Sequence, residues 1–205
     1  MARRTKEEAA ETRESILDAA IDMFYDIGVQ KTSLQKVADL AGVTRGAVYW
    51  HFDNKLDLFK AIYDRFYTSA AEELVANLGV VEANPLEKIK DFAVQFLQSL
   101  ATDEQHRKMI TLFYLKCDYS GEMASILEHQ GARKRDNLDI LAQYFERAQK
   151  NGQLSANANP EHMAQAWASY VIGLMYDFLR NRTAQELATE ADSLMTIFMQ
   201  GLVNQ

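Results

Sequence analysis

The spacing of apolar residues constrains this chain more than any other feature. Every periodic stretch repeats at intervals of three and four residues, and none alternates as a β-strand does. The first such stretch places Ile16, Ala20, Phe24 and Ile27 on one helical face. Similar stripes continue to the end of the chain, which predicts an all-α fold of about nine helices.

Polar residues mark where several of these helices begin. The only two prolines follow asparagine, at Asn84–Pro85 and Asn159–Pro160. Each pair is typical of an asparagine N-cap with proline at the first helical position. Thr32 and Gln35 have capping-box spacing, so we expect the second helix to start at Thr32.

The stretch LAGVTRGAVYWHFDNK, from Leu40 to Lys55, joins two short predicted helices through a turn. Gly42 can adopt the left-handed conformation that such a turn needs, and Thr44 can cap the next helix at once. Two short helices behind a longer first helix make a helix-turn-helix pattern. On the second of them Val48 and Phe52 are four residues apart and face the core, which turns the other side of the helix outward.

The outward side of that helix suits the groove of a DNA duplex. Gly46 lacks a side chain and allows close approach, while Arg45 can pair with guanine edges or with phosphate. Tyr49, His51 and Lys55 carry donors suited to phosphate oxygens. The same features also fit a small helical packing unit with an exposed aromatic patch, and spacing alone does not separate the two interpretations.

The distribution of charge along the chain makes its net negative charge a weaker argument against a nucleic-acid partner. The net charge of −7 argues against DNA binding when it is taken alone. Residues 1–65, however, hold ten Lys and Arg against eleven Asp and Glu, a net of −1, so most of the excess acid follows residue 65. Local placement of charge matters more than the total for phosphate binding.

Other signals exclude several classes of protein. Cys117 is the only cysteine, so no internal disulfide can form, and we expect a reducing, cytoplasmic compartment and a buried, unreactive thiol. Charged residues interrupt every apolar run before it reaches membrane-spanning length. The histidines lack metal-site spacing, and there is no nucleotide-binding glycine loop and no nucleophile elbow. We therefore expect no cofactor, no metal, no membrane partner and no enzymatic activity.

The stretch TSLQKVADLAGVTRGAVYWHFDNKLDLF resembles the signature of the TetR family of bacterial transcriptional repressors. The opening MARRTKEEAAETRESILDAA is similar to the AcrR-like multidrug-efflux branch. The resemblance implies a DNA-binding domain at residues 1–53, a ligand-binding and dimerisation domain at 54–205, and a homodimer on a pseudo-palindromic operator. The positions that it marks as DNA contacts are Ser33, Lys36, Thr44, Arg45, Gly46, Tyr49, His51 and Lys55.

The C-terminal bundle carries many large, soft side chains. They fit either a plain hydrophobic core or a cavity for varied apolar ligands, and no spacing separates these interpretations. The resemblance favours the cavity, since this branch typically binds drug-like effectors between these helices. The residues predicted to contact the ligand are Phe66, Leu78, Phe92, Phe96, Ile110, Phe113, Tyr114, Leu141, Val171, Ile172, Met175 and Tyr176.

The last two helices have apolar faces wider than one side of a bundle needs. A two-fold, four-helix interface between two copies would bury the excess, and burial inside one chain is the alternative. We favour the dimer, because paired half-sites need two recognition helices. The residues predicted at this interface are Trp167, Tyr170, Leu174, Leu194, Phe198 and Leu202.

Together these features predict a ligand-responsive repressor. It would bind operator DNA as a homodimer and leave it when a small hydrophobic effector binds, with a multidrug efflux pump as the target that the resemblance implies. The alternative is a helical carrier or enzyme that keeps the bundle cavity and uses the first three helices only for packing. The sequence offers that alternative no acid–base or nucleophile constellation.

Overall fold

The computed structural model describes residues 6–78, 84–181 and 183–203. Over these residues it has nine α-helices and no strand, so the all-α prediction is confirmed. No described helix is long and apolar enough to cross a membrane. The helices are α1 Lys6–Ile27, α2 Leu34–Leu40, α3 Arg45–His51, α4 Lys55–Leu78, α5 Pro85–Thr102, α6 Glu104–Thr111, α7 Ala124–Lys150, α8 Pro160–Asn181 and α9 Ala184–Val203. A π-helical turn, Leu112–Lys116, follows α6, and a 3-10 turn, Gly121–Met123, precedes α7.

The chain divides into two compact units. The first unit comprises the residues up to Phe66 together with Gln105–Gln130, and the second comprises Tyr67–Glu104 and the residues from Gly131 onward. Helices α4 and α7 therefore contribute to both units. The domain boundary predicted after residue 53 is not a limit of either compact unit, and it stays a prediction.

The core of the first unit is built on the apolar face of α1. Ile16, Ala20 and Phe24 are fully buried there, and α1 packs against both α2 and α3. Ile27 had been expected on the same face but is 37% exposed, because α1 ends at this residue. The face of α1 thus provides the surface on which the two short helices fold.

The turn between α2 and α3 depends on Gly42. Its φ of +68° lies in the left-handed region, as the sequence predicted. This conformation lets the amide of Val43 donate to the carbonyl of Ala38 at 3.0 Å and closes the end of α2. Helix α3 begins three residues after Gly42 and is held at a fixed angle to α2.

The start of α2 differs from the prediction. Ser33, not Thr32, is the N-cap, and its hydroxyl accepts from the amide of Lys36 at 3.3 Å. Thr32 is buried instead, and its hydroxyl donates to the carbonyl of Gly28 at 2.9 Å. The helix therefore starts one residue later than expected, because Thr32 is used to close the preceding loop.

The helix starts predicted at the two prolines are confirmed in the second unit. The side-chain oxygen of Asn84 accepts from the amide of Leu86 at 3.1 Å, and that of Asn159 accepts from the amide of His162 at 3.0 Å. Helix α5 packs along α9, where the Lys90 ammonium lies 2.8 Å from a carboxylate oxygen of Asp192. These caps and contacts fix where each helix begins and which of its sides faces the core of this unit.

Replacing Gly42 by alanine should lower the free energy of unfolding by about 1–2 kcal/mol, the cost of a left-handed conformation in an L-residue. The added Cβ would have nothing within 4 Å, so the cost comes from the backbone alone. The measurement is the urea midpoint of the variant. Gly131→Ala is the control, because Gly131 lies within α7 and its added Cβ would meet only an Arg135 side-chain nitrogen at 3.5 Å. A Gly42→Ala variant as stable as the control would contradict this account of the turn.

Candidate functional site

Helix α3 separates an anchoring side from an open side. Val48 is fully buried and Phe52, which ends the helix, is 2% exposed. On the other side Tyr49 is 45% and Trp50 is 73% exposed, and Arg45 and Gly46 are exposed as well. The helix thus presents two aromatic rings, one guanidinium and one bare backbone position to an external partner.

Thr44 and Ser33 each make a capping hydrogen bond and keep a hydroxyl proton available for an outside partner. Thr44 caps α3 by accepting from the amide of Ala47 at 3.1 Å, as Ser33 does for α2. Both residues are exposed. Since each hydroxyl uses its oxygen as the acceptor, its own proton can still be donated to an outside oxygen such as phosphate.

The guanidinium of Arg45 lies over the ring of Tyr49. Its carbon is 5.2 Å from the ring centroid, and one of its nitrogens donates to the Tyr49 hydroxyl at 3.3 Å. The two residues are one helical turn apart, so the contact lies along the open side of α3. A cationic donor and a hydroxyl group therefore lie side by side on the open side of α3.

Gly46 is not required by the fold. Its φ is not among the positive values of the described residues, and an added Cβ would meet only the Thr44 hydroxyl oxygen, at 3.9 Å. Glycine inside a helix costs stability relative to alanine. A glycine that neither the backbone nor the packing of this chain needs is consistent with a surface that another molecule approaches closely.

The remaining predicted DNA contacts are partly used within the chain. The ammonium of Lys55 donates to the carbonyls of Gln30 and Thr32, both at 3.2 Å, and so braces the loop before α2. Lys36 is exposed and donates to the carbonyl of Lys31 at 3.3 Å. Their roles toward DNA stay predictions, and the ammonium of Lys55 has a third N–H that these two bonds do not use.

Trp50 was not among the predicted contact residues, although it is the most exposed large hydrophobic side chain that the structure describes. It lies against His51, with ring centroids 4.5 Å apart in an edge-to-face arrangement. The signal for it was already in the sequence. An indole next to Tyr49, on the side of a seven-residue helix opposite Val48, has nowhere to be buried.

Four of the predicted ligand contacts belong to the first unit. Phe113 packs edge-on against Phe59 and Tyr63 of α4, with ring centroids 5.4 Å and 5.0 Å away. Ile110 is fully buried, and Phe66 and Tyr114 are half-buried. The structure thus joins Phe113 to an aromatic cluster on the first half of α4.

The other predicted ligand contacts belong to the second unit. Leu141, Val171 and Met175 are buried, whereas Phe92, Phe96 and Ile172 are half-buried. Tyr176 is 41% exposed, and its hydroxyl accepts from a nitrogen of Arg180 at 3.0 Å. The side chain of Leu78 lies outside the described residues. The ligand roles of all these residues stay predictions.

The predicted dimer contacts divide into two groups. Tyr170 stacks on Phe198 with ring centroids 4.5 Å apart, and its hydroxyl donates to the carbonyl of Leu194 at 3.1 Å. These three residues and Leu174 are half-buried, so part of each side chain is open to a partner. Trp167 and Leu202, in contrast, are buried within the chain, with 4% and 8% of their surface exposed. Both are part of the core within the single chain, and the roles of all six residues at an interface stay predictions.

The lone cysteine is a weak nucleophile. Burial raises the pKa of the Cys117 thiol from 9.0 to about 11, with a smaller increase from the Asp118 carboxylate, although a hydrogen bond with Tyr119 opposes both effects. Burial also raises the pKa of Tyr119, whose hydroxyl donates to the carbonyl of Phe113 at 2.7 Å. Within the described ranges no three His, Cys, Asp or Glu side chains are grouped closely enough to hold a metal ion.

Comparison with known proteins identifies both parts of the chain. Residues 16–62 match the family model of bacterial regulatory proteins of the tetR family. Residues 84–203 match the model for the C-terminal region of MAATS-type transcriptional repressors. The two models together span the helix-turn-helix segment and helices α5 to α9.

Individual relatives match over nearly the whole length. The transcriptional repressor BepR of Brucella suis is 34% identical over 98% of this chain and 96% of its own. The transcriptional regulator AcrR of Shigella flexneri is 33% identical over 98% of this chain and 93% of its own. A structure of SmeT in complex with triclosan superposes with a TM-score of 0.84 at 30% identity, covering 93% of this chain and 91% of that one. SmeT is the repressor of the multidrug efflux pump SmeDEF of Stenotrophomonas maltophilia.

The raised pKa of Cys117 predicts slow alkylation. At pH 7.5 the thiolate fraction should be about a hundredfold lower than for a cysteine of ordinary pKa, because the thiolate is the reactive form. We expect iodoacetamide to react correspondingly slowly, with a rate that keeps rising as the pH approaches 11. The same protein unfolded in urea is the control and should react at the ordinary rate. Equal rates for the folded and unfolded protein at pH 7.5 would contradict the assignment of a protonated, inert thiol.

Proposed function

We propose that this chain, which belongs to the TetR family of bacterial regulatory proteins, represses a multidrug efflux operon and is released from its operator by small hydrophobic effectors. As a DNA-binding regulator it acts in the cytoplasm, and it is not an enzyme. The observation that carries the proposal is the open side of α3, on which Arg45, Gly46, Tyr49 and Trp50 are all exposed although the fold needs none of them. That pattern favours a DNA-reading helix over a packing-only role for the first three helices.

The geometry of α3 supports insertion into the major groove. A B-DNA major groove is about 12 Å wide and admits one α-helix. With no side chain at Gly46, the helix axis can come close to the base edges. Arg45 can leave the Tyr49 ring and pair with a guanine, while the Tyr49 hydroxyl turns to a phosphate. The hydroxyls of Thr44 and Ser33, at the starts of the two short helices, complete a set of phosphate donors around the base contact.

The second unit supports a homodimer. Tyr170, Leu174, Leu194 and Phe198 form a half-buried apolar ridge on α8 and α9, and Ile197 beside it is 64% exposed. A second copy related by a two-fold axis would cover this ridge with the same ridge of its own. Two copies would then offer two α3 helices to two half-sites of a pseudo-palindrome.

The apolar residues of both units support an effector of the same character. A ligand releases the operator only if it binds the DNA-incompetent conformation more tightly than the competent one. The buried and half-buried aromatic and aliphatic residues predicted as ligand contacts match drug-like, apolar molecules. Triclosan, which occupies the related SmeT, is a compound of this class and the first effector that we would test.

The proposal predicts sequence-selective, salt-sensitive DNA binding that triclosan reverses. Sheared chromosomal DNA is incubated with the protein, and the retained fragments are sequenced. We expect enrichment of a pseudo-palindrome upstream of efflux-pump genes or of the protein's own gene. Fluorescence anisotropy on a labelled fragment should show affinity falling about a thousandfold or more between 50 and 200 mM salt, as for proteins with six or more phosphate contacts. Retained fragments without a shared sequence would refute operator binding, and a bound fragment that no hydrophobic compound releases would refute the effector.

Gly46→Ala should weaken operator binding without loss of stability. The new methyl group has room in the free protein but stands where the base edges must approach, and losing the contacts at one base pair costs about 1–3 kcal/mol, or roughly ten- to a hundredfold in affinity. Alanine should also stabilise α3 slightly. The measurement pairs operator anisotropy with the urea midpoint. Gly131→Ala, a helical glycine of α7, is the matched control and should keep its operator affinity. Unchanged affinity in Gly46→Ala would place the DNA contact elsewhere.

A further inference from the structure

Trp167 carries a polar atom that the fold leaves unsatisfied. The side chain is 4% exposed, and its indole nitrogen is buried without a hydrogen-bond partner among the described residues. An indole N–H is a donor only. A glutamine amide can be turned to exchange its oxygen and nitrogen, and a histidine can take another tautomer, but an indole has neither option. A buried donor of this kind is disfavoured, and an acceptor brought to it would relieve the penalty.

The surroundings of Trp167 within the second unit are apolar. The ring of Phe92 on α5 stacks on the indole, with centroids 6.4 Å apart and planes inclined by 28°. Val171 and Met175 follow at intervals of four residues on the same side of α8, and both are buried. Ligand sites in proteins have this composition, with many apolar contacts and few polar groups to set orientation.

Phe92 is the least buried member of this cluster. It is half-buried, whereas Trp167, Val171 and Met175 are almost completely enclosed. The indole nitrogen is covered in this structure, so an acceptor reaches it only after a neighbouring side chain shifts. Phe92 stacks on the indole and is less buried than Val171 and Met175, so it is the side chain that the proposed binding would displace.

We infer that the indole N–H of Trp167 determines which effectors this protein takes: aromatic, apolar molecules that carry a hydrogen-bond acceptor such as a carbonyl, ether or phenol oxygen, in preference to hydrocarbons of the same shape. The inference rests on the proposed function, because it assumes an effector in the second unit. It assigns Trp167 to ligand selection instead of to the dimer interface.

The test compares two probes of one shape. Benzophenone and diphenylmethane have the same two phenyl rings, and only benzophenone has an acceptor oxygen. Binding of both to the wild-type protein and to Trp167→Phe is measured by calorimetry. Phenylalanine keeps an aromatic ring on Phe92 but removes the donor. We expect the wild type to bind benzophenone about five- to tenfold more tightly, as for one hydrogen bond to a buried donor, and the variant to lose that preference, because it would bury the carbonyl without a donor.

A second readout does not depend on the stability of the Trp167 variant. Trp50 is the only other tryptophan, so the Trp50→Phe protein shows a single indole N–H resonance in a nitrogen–proton correlation spectrum. Without a ligand this proton should resonate at the upfield end of the indole range, where protons without a hydrogen bond lie. Benzophenone should move it downfield, and diphenylmethane should not.

The outcomes separate this inference from the proposed function. The inference would be overturned if the wild type bound both probes equally or if Trp167→Phe kept the preference for benzophenone. It would also be overturned if benzophenone left the indole resonance unchanged, which includes the case in which benzophenone does not bind. A resonance already downfield without ligand would mean that a bound water satisfies the donor, and would overturn it too. Release of the operator by both probes at the same concentration would refute the role of Trp167 while leaving the effector-responsive repressor intact.

Discussion

The open side of α3 depends on the anchoring of two very short helices. Helices α2 and α3 have seven residues each, and isolated helices of that length are not stable in water. Val48 and Phe52 hold α3 by burial, and the left-handed Gly42 fixes its direction relative to α2. The position of the open side of α3 therefore depends on the α1 face beneath it, and damage to that face would displace the proposed DNA contacts without altering any of their side chains.

Because one side of α3 anchors the helix, the fold does not depend on the residues of its other side. A 73% exposed tryptophan and a helical glycine with open space around it each run against what stability alone would favour. Arg45 and Tyr49 hold each other in the free protein, so both side chains are ordered before DNA arrives. In the proposed complex this ordering reduces the entropy lost on binding, and the mutual contact is exchanged for contacts with DNA.

The sequence predicted features that depend on neighbours along the chain and missed those that depend on distant ones. Helix periodicity, the asparagine caps and the two sides of α3 follow from spacing of a few residues. Thr32 and Ser33 are adjacent hydroxyl residues, and Ser33 caps α2 because the Thr32 hydroxyl is taken up by the carbonyl of Gly28 and by that of Met23, nine residues back on α1. The carbonyls that hold Lys55 lie 25 and 23 residues away along the chain. For Trp167, periodicity gave the correct apolar face, but it carries no information on whether α5 or a second copy covers that face.

The segment after α5 contacts α1 within the first compact unit. Asp22 of α1 accepts from Lys108 at 2.8 Å and from Gln105, yet the pair is partly exposed, with 22% and 30% of the Lys108 and Asp22 side chains accessible, and such pairs contribute at most about 1 kcal/mol. The rings of Phe113, Phe59 and Tyr63 bury far more surface than this pair does. The ring centroid of Phe59 lies 5.9 Å from that of Phe24 on α1. The contacts that join this segment to α1 therefore depend on aromatic packing more than on charge. High salt, which screens the pair with Asp22, should accordingly weaken DNA binding far more than it lowers the stability of this unit.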